Sequence, residues 1–270
     1  MRGLCWLGMA ILALGVLGCG SDNKPDVATL KQRFIDGKKS QADRVAAGRL
    51  LLQDNEGKSF VVAQYWTPQQ RVVQALVNGL TQTQPDLAAQ LLTGLMARAE
   101  GEEKLHFESQ LIALGSPAIP ALVELAHEAV DWQTAMQTLD ALGKLKAPEG
   151  LIAMRIYLSH KNDWVRIAAA HALGDVGGRD AVEALVEALA DTSDTVVAAA
   201  LIGLGKTGEP QAVEKCAVLL NHPNARLRGA AVSAIGRLGG VDARRLLEPM
   251  VNDDDSGVRY KAGQALKRLN

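Results

Sequence analysis

A repeat of 31 residues governs the C-terminal part of this chain. The segments 165–174, 196–205 and 227–236 align without gaps, and a last half-copy begins at Val258. The same step relates three further sets of residues. They are Gly177, Gly208 and Gly239; Ala181, Ala212 and Ala243; and the apolar column Leu185, Cys216 and Leu247. A fixed period of this length is the signature of a solenoid, in which each unit is one supersecondary element.

Each unit predicts a helix A, a glycine-containing turn, a helix B and a polar link. Asp163 and Asp194 are placed to cap helix A, and the alanine triplets allow neighbouring helices to approach closely. Gly177, Gly208 and Gly239 suit the left-handed backbone that ends a helix. Neither helix of a unit can bury its apolar stripe alone, so stacked units must supply the core.

The consensus is Asp-x-Val-Arg-x-x-Ala-Ala-x-Ala-Leu-Gly-x-x-Gly, then Ala-Val-x-x-Leu-x-x-x-Leu-x-Asp. It resembles the short HEAT repeat first described in bilin lyases, closely over 131–270 and fairly over 103–130. The resemblance implies an all-α fold, an α-solenoid of HEAT-like helical hairpins. It also implies that the B helices line a concave binding surface. The predicted domains are an N-terminal helical cap region over 26–101, with degenerate repeats as an alternative, and the solenoid over 102–270.

Helical spacing of apolar residues and capping signals predict the individual helices. In the cap region they are expected at 26–36, at 40–53, from Thr67-Pro68 to about Thr81, and at 85–99, while 59–66 fits a helix or an extended segment. In the solenoid the first ones are expected at 103–114, from Ser116-Pro117 onward, at 131–144 and at 148–159.

Residues 1–18 predict an export signal. Arg2 is their only charged side chain, and the apolar run from Leu4 to Leu17 is shorter than the ~20 residues that a spanning helix needs. The run ends in Val-Leu-Gly-Cys and resembles the lipobox of bacterial lipoproteins, although Leu17 stands where Ala or Ser is commoner. The resemblance implies that Cys19 is lipidated, and the polar, turn-forming composition of 20–25 predicts that 19–25 form a tether. The expected location is the periplasmic side of a bacterial membrane, with Gly20 favouring the outer membrane.

Charge and cysteine content narrow the function further. When Arg2 is removed with the signal, 28 of the 29 basic side chains remain against 30 acidic ones. This balance lacks the excess of positive charge that is typical of nucleic-acid-binding proteins. Cys216 is the one cysteine expected in the folded body, so no internal disulfide is predicted. It shares a column with Met154, Leu185 and Leu247 and is interpreted as a buried hydrophobe. A monomer is expected.

No catalytic, metal or cofactor site is predicted. Deoxyhypusine hydroxylase, built from the same repeat, takes its iron ligands from several His-Glu pairs on helix A, whereas the one pair here, His127-Glu128, ends a helix B. His160 and His222 share a column but lie two units apart, too far to ligate one ion. The column of Arg166, Arg228 and Arg259 fits an anion-binding stripe or pairing with neighbouring Asp and backbone carbonyls.

The predicted binding residues are on helix B and at two tryptophans. Those of helix B are Ile152, Arg155, Ile156, Glu183, Glu187, Glu214, Val218 and Arg245. Trp132 and Trp164 are predicted to lie at corresponding starts of helix A in adjacent units, and they fit a binding hot spot or a seam between units. The predicted function is a membrane-tethered scaffold that binds an envelope protein or peptide on the concave face. The alternative is a bilin-lyase-like or metal-dependent enzyme or cofactor carrier.

Overall fold

The structure is a computed structural model that describes residues 25–128 and 131–269. Within those residues it contains α-helices, short 3-10 helices and no β-strand, so the predicted all-α solenoid is confirmed. None of these helices is both long and apolar enough to cross a membrane. The signal, Cys19 and most of the tether lie outside the described residues.

Sixteen α-helices follow one another in the described ranges. They are α1 (Val27–Ile35), α2 (Gln41–Leu51), α3 (Asn55–Ala63), α4 (Gln70–Thr83), α5 (Pro85–Arg98), α6 (Glu102–Leu114), α7 (Ile119–His127), α8 (Trp132–Lys144), α9 (Leu151–Tyr157), α10 (Asp163–Val176), α11 (Arg179–Ala188), α12 (Asp194–Thr207), α13 (Ala212–Ala217), α14 (Ala225–Leu238), α15 (Val241–Leu247) and α16 (Ser256–Arg268). The segment 59–66 is therefore helical, as the end of α3 and a 3-10 turn.

From α6 onward the helices alternate between two rows. Row A consists of α6, α8, α10, α12, α14 and α16, and row B of α7, α9, α11, α13 and α15. One continuous apolar core runs between the rows and through the N-terminal helices, from Leu30 to Ala265. Cys216 lies in this core with no exposed surface, like Leu185 and Leu247, as its column predicts.

Row A is packed at backbone distance. A Cβ added to Gly174 of α10 would lie only 2.5 Å from the Cα of Gly203 in α12. Equivalent glycines repeat this contact from unit to unit: Gly143 faces Ala172, Gly205 faces Ala234 and Gly236 faces Ala265. The closest approach is thus made by the glycine at the end of each repeated segment. These glycines bring the row A helices together in addition to the alanine triplets.

Row B is packed much more loosely. All of its helices are shorter than those of row A. Neighbouring row B helices touch one another through few residues, whereas neighbouring row A helices are in contact along their length. A stack of helix pairs bends toward its more closely spaced row. Row A therefore lines the inner, concave side, and the expectation that the B helices line it is wrong. The 31-residue period cannot reveal this, because both rows share it.

The caps and turns agree with the sequence in part. Gly177, Gly208 and Gly239 all have positive φ, between 69° and 74°, and end helix A, but only Gly208 has the predicted left-handed helical conformation, because ψ is −165° at Gly177 and −162° at Gly239. The caps of helix A, however, stand one residue earlier than predicted. Asn162 accepts from the backbone N–H of Trp164, and Ser193 precedes α12 without a side-chain cap.

Asp163 and Asp194 instead begin their helices, where a negative charge favours the helix dipole. The start of α4 is also later than predicted. The backbone N–H of Gln70 donates to the carbonyl of Thr67, so residues 67–69 form a turn and the helix begins at Gln70.

The links between units carry a polar network that repeats every second unit. Arg166 donates to both carboxylate oxygens of Asp191, and Arg228 does the same to Asp253. In the alternate units the arginine position holds an apolar residue and the aspartate position a histidine. At the arginine position, successive units hold Ala135, Arg166, Val197 and Arg228. At the aspartate position they hold His160, Asp191, His222 and Asp253.

Each residue at the aspartate position also accepts from the backbone N–H two positions later. Arg259 binds the carbonyls of Asp253 and Asp254. The arginine column is thus accounted for by pairing, and the two histidines are link residues, as predicted.

A buried lysine joins the cap region to the solenoid. Lys104 of α6 is 3% exposed, and its Nζ donates to the carbonyl of Met96 in α5 and to Thr134 Oγ1 in α8, at 3.1 and 2.5 Å. The carboxylate of Asp131, which caps α8, lies 3.3 Å away. This contact was not predicted, because a single lysine in an acidic first turn is typical of a solvated position.

Candidate functional site

The inner face comprises the exposed side chains of the row A helices. Because each unit adds one helix to the row, positions 31 residues apart form lines across this face. One line holds Asp140, His171, Ile202, Ser233 and Gln264, and a parallel line holds Met136, Ile167, Ala198, Gly229 and Tyr260. The first line runs from an acidic to an uncharged polar side chain, and the second from an apolar side chain, Met136, to an aromatic one, Tyr260.

The first cavity of the inner face has a volume of about 460 Å³ and lies across α6, α8 and α10. Trp132 and Met136 of α8 and Leu105 of α6 form its apolar wall. Its polar wall holds Asp140 and His171. Trp132 is 45% exposed and thus has surface left for a ligand.

The second cavity, of about 390 Å³, lies between α10 and α12. Trp164 and Ile167 line it from α10 and Ile202 from α12, with Arg226 of α14 at its edge. His171 belongs to both cavities, so they meet at this side chain. Trp164 is 63% exposed and does not close a seam between units.

The two tryptophans are not equivalent in the repeat. Trp132 is the first residue of α8, whereas Trp164 is the second residue of α10 and corresponds to Gln133. Each tryptophan nevertheless stands at the N-terminal end of a row A helix, beside its own cavity. The structure therefore brings the two predicted tryptophans to one face.

A buried carboxyl lies beneath the first cavity. Glu108 of α6 is 4% exposed, and its Oε1 is 3.2 Å from the Nζ of Lys144, which also contacts Asp140 at 2.5 Å. Burial and the neighbouring Asp140 carboxylate raise the pKa of Glu108 to about 7, while the Lys144 ammonium opposes this shift. Burial, with a smaller effect of Lys206, lowers the pKa of His171.

Glu108 gives a pH-dependent stability. Its folded pKa lies above the ordinary 4.5, so the folded state holds the proton longer than the unfolded state, and stability falls as the pH rises from about 4.5 to beyond 7. We expect Glu108→Gln to raise the free energy of unfolding at pH 8 by about 1–3 kcal/mol and to change it little at pH 4.5. Urea unfolding at both pH values measures this.

Glu124→Gln, at an exposed position of α7, is the control for the loss of one carboxylate. A loss of stability in Glu108→Gln at pH 8 would show instead that the ion pair with Lys144 stabilises the fold more than burial of the charge costs.

The predicted helix B residues lie on the opposite, outer side. Ile152, Ile156 and Val218 are 62–76% exposed, and Arg155 pairs with Glu187 between α9 and α11. Glu183, Glu214 and Arg245 are exposed as well, and Arg245 pairs with Asp242 within α15. Their exposure agrees with a surface role, and their part in binding stays a prediction.

Other reactive residues are structural. Burial raises the pKa of the Cys216 thiol to about 12, so it is not a nucleophile at neutral pH. His127 and Glu128 lie exposed at the end of α7. Within residues 25–128 and 131–269, no group of three or more His, Cys, Asp or Glu side chains is arranged to hold a metal ion.

Comparison with known proteins places the chain in a family. The model of the family "HEAT repeats" matches residues 119–205 and 191–267, which together cover more than half of the chain. The chain therefore belongs to the HEAT-repeat family. Comparison with curated proteins gives no match.

Solved structures share the general architecture at low similarity. A designed armadillo repeat protein in complex with the peptide (KR)4 is 18% identical, with 78% of this chain and 99% of that one covered and a TM-score of 0.47. Human deoxyhypusine hydroxylase in complex with glycerol is 16% identical, with 90% and 95% covered and a TM-score of 0.37. An archaeal HEAT-like repeats protein from Thermococcus onnurineus NA1 is 12% identical, with 92% and 98% covered and a TM-score of 0.40. Similarity at this level carries no argument about function, and the enzyme alternative stays a prediction.

Proposed function

We propose that this protein is a non-enzymatic scaffold that binds a segment of another protein along the inner face of row A. The observation that carries the proposal is the placement of Trp132 and Trp164, both exposed, beside two cavities that meet at His171. A tryptophan buries 150–250 Å² when covered, and tryptophans are enriched among the residues that dominate binding energy.

The packing of row A supports the same proposal. Backbone contact at Gly174 and its equivalents fixes the spacing of the helices that carry the tryptophans. A preorganised surface loses little conformational freedom when it binds, and this favours affinity. A repeat array thus presents several fixed subsites in a line, which suits an extended segment better than a compact ligand.

Unbiased peptide selection tests this function. Purified protein comprising residues 25–270 is used to select from a displayed library of random 16-residue peptides, and enriched peptides are remeasured by fluorescence anisotropy. The proposal expects enriched peptides that compete with one another for a single site. A library that yields no binder, or binders that compete only with ligands of the outer row, would contradict it.

We also propose that the scaffold is held at a bacterial membrane through a lipid on Cys19. The support is the apolar run that ends in Leu17-Gly18-Cys19, followed by a short polar tether. Anchoring restricts the protein to the membrane surface and raises its effective concentration toward partners there. The partner class that follows is an envelope protein.

Metabolic labelling measures the anchor. In cells given labelled palmitate, we expect the wild-type chain to incorporate label and partition into detergent, and Cys19→Ser to lose both properties. The serine variant keeps the apolar signal and so controls for export. Equal labelling of the two chains would place the lipid elsewhere, and no labelling of either would show that the chain carries no such lipid.

A further inference from the structure

The C-terminal end of the inner face carries basic side chains. Arg226 and Arg237 lie on α14, and Lys261 and Arg268 on α16; all four are exposed. Within residues 25–128 and 131–269 none of the four side chains forms a salt bridge. Lys261 and Arg268 of α16, with Arg237 of α14, are called the basic end, whereas Arg226 lies at the edge of the second cavity.

Cations elsewhere on the inner face are neutralised. Lys144 of α8 contacts Asp140 and Glu108, and Lys206 of α12 contacts Asp175 at 2.8 Å. The two ends of the inner face therefore differ in whether their cations are paired with carboxylates, as well as in residue type. Unpaired like charges that line one cavity, here Lys261 and Arg268, favour an anionic ligand, because an opposite charge between them offsets their repulsion.

The basic end has a cavity of its own. It measures about 230 Å³, lies between α14 and α16, and is lined by Tyr260, Lys261, Gln264 and Arg268 among others. The Lys261 side chain crosses toward α14 at Gly229, where an added Cβ would lie 3.0 Å from the lysine Nζ. Tyr260 is 68% exposed and adds an aromatic surface beside the charges.

The spacing of the three cavities restricts the ligand. Neighbouring packed helices lie about 8–10 Å apart, and a polyproline II segment advances about 9.3 Å for every three residues, with every third side chain on the same side. Trp132 and Trp164 stand on neighbouring row A helices. Two peptide side chains about three residues apart therefore reach the cavities beside them. The basic cavity lies two helices beyond the second one, which corresponds to about six further residues.

From this geometry we propose that the segment bound on the inner face is an extended, acidic peptide. Two apolar side chains three residues apart enter the tryptophan cavities, and carboxylates about six residues farther along face the basic end. This inference rests on the proposed function, since it specifies the ligand of the same face. The requirement for negative charge on the ligand can be tested separately from the scaffold function.

The test uses three fluorescein-labelled peptides of twelve residues. Each has leucine at its third and sixth positions and proline or alanine elsewhere, and its last two residues are glutamate, glutamine or lysine. All three are also made in reverse order, so that either chain direction is sampled. Dissociation constants are measured by anisotropy with the full exported chain at low and high salt.

We expect the glutamate peptide, in one of its two directions, to bind at least about tenfold more tightly than the lysine peptide, with the difference much reduced at high salt. In Lys261→Gln with Arg268→Gln, the glutamate peptide should bind no better than the glutamine peptide, whose affinity is unchanged. Lys215→Gln, at an exposed position on row B, is the matched control and should behave as wild type.

The contradicting outcomes are distinct. Equal affinity for the glutamate and glutamine peptides would overturn the charge requirement, and no binding of any of the three peptides would overturn the proposed ligand as a whole; the scaffold function would be overturned only by failure of the library selection. A preference for glutamate that survives the Lys261 and Arg268 substitutions would place the anion elsewhere. Binding of vesicles with 30% phosphatidylglycerol that depends on these two residues, without a peptide preference, would assign the basic end to lipid headgroups and overturn the proposal.

Discussion

Gly174→Ala is expected to lower the free energy of unfolding by about 3 kcal/mol, the upper part of the usual range for overpacking a core. The added Cβ would lie 2.5 Å from the Cα of Gly203 and 2.8 Å from its carbonyl oxygen. Both obstacles are backbone atoms, so no side-chain rotation relieves the clash. The helices α10 and α12 must separate, and this loosens row A at its centre.

Chemical denaturation of the two proteins measures the effect, and Gly263→Ala is the control. Gly263 lies inside α16, and an added Cβ there meets no atom within 4 Å. Alanine at such a helical position should stabilise the fold by about 0.5–1 kcal/mol. If Gly174→Ala were as stable as Gly263→Ala, row A would not be packed at backbone distance, and its assignment to the inner side would fail.

The second large effect concerns binding. We expect the double variant Trp132→Ala and Trp164→Ala to weaken a peptide selected on the wild-type protein at least about 30-fold, equivalent to about 2 kcal/mol. The reason is the loss of two aromatic walls from adjoining cavities. Because Trp132 is 45% and Trp164 63% exposed, neither belongs to the core, and the melting temperature should change by only a few degrees.

Ile156→Ala with Val218→Ala is the matched control on row B. It also removes two exposed apolar side chains, but from the outer side of the solenoid. The account expects this variant to bind the peptide as tightly as the wild type. If it lost affinity instead, the binding surface predicted from the sequence on helix B would be the correct one.

The periodic part of the fold was predictable from the sequence. Alanine and glycine recur in step because close packing and helix termination demand them in every unit, and Gly177, Gly208 and Gly239 meet that demand with positive φ. Cys216 could be placed in the core because its column is otherwise apolar. Columns of this kind report each residue's local environment, which is the same in each unit of a stack.

Features that depend on more than one unit were not predictable. The side toward which the stack bends is set by the relative spacing of two rows, and the consensus contains both rows equally. The alternation of Arg166 and Arg228 with Val197 becomes intelligible only when Asp191, His222 and Asp253 are placed beside them. Likewise the burial of Lys104 depends on Thr134 and Asp131 in a different helix.

Site-specific photocrosslinking tests the central claim that the inner face of row A binds the partner. A benzophenone amino acid is placed at Ile202, in the α12 wall of the second cavity, or at Val218 on the outer row, and each protein is irradiated with a selected peptide. The account predicts a crosslinked product from the Ile202 position, suppressed by excess unlabelled peptide, and none from Val218. Crosslinking from Val218 alone would contradict it.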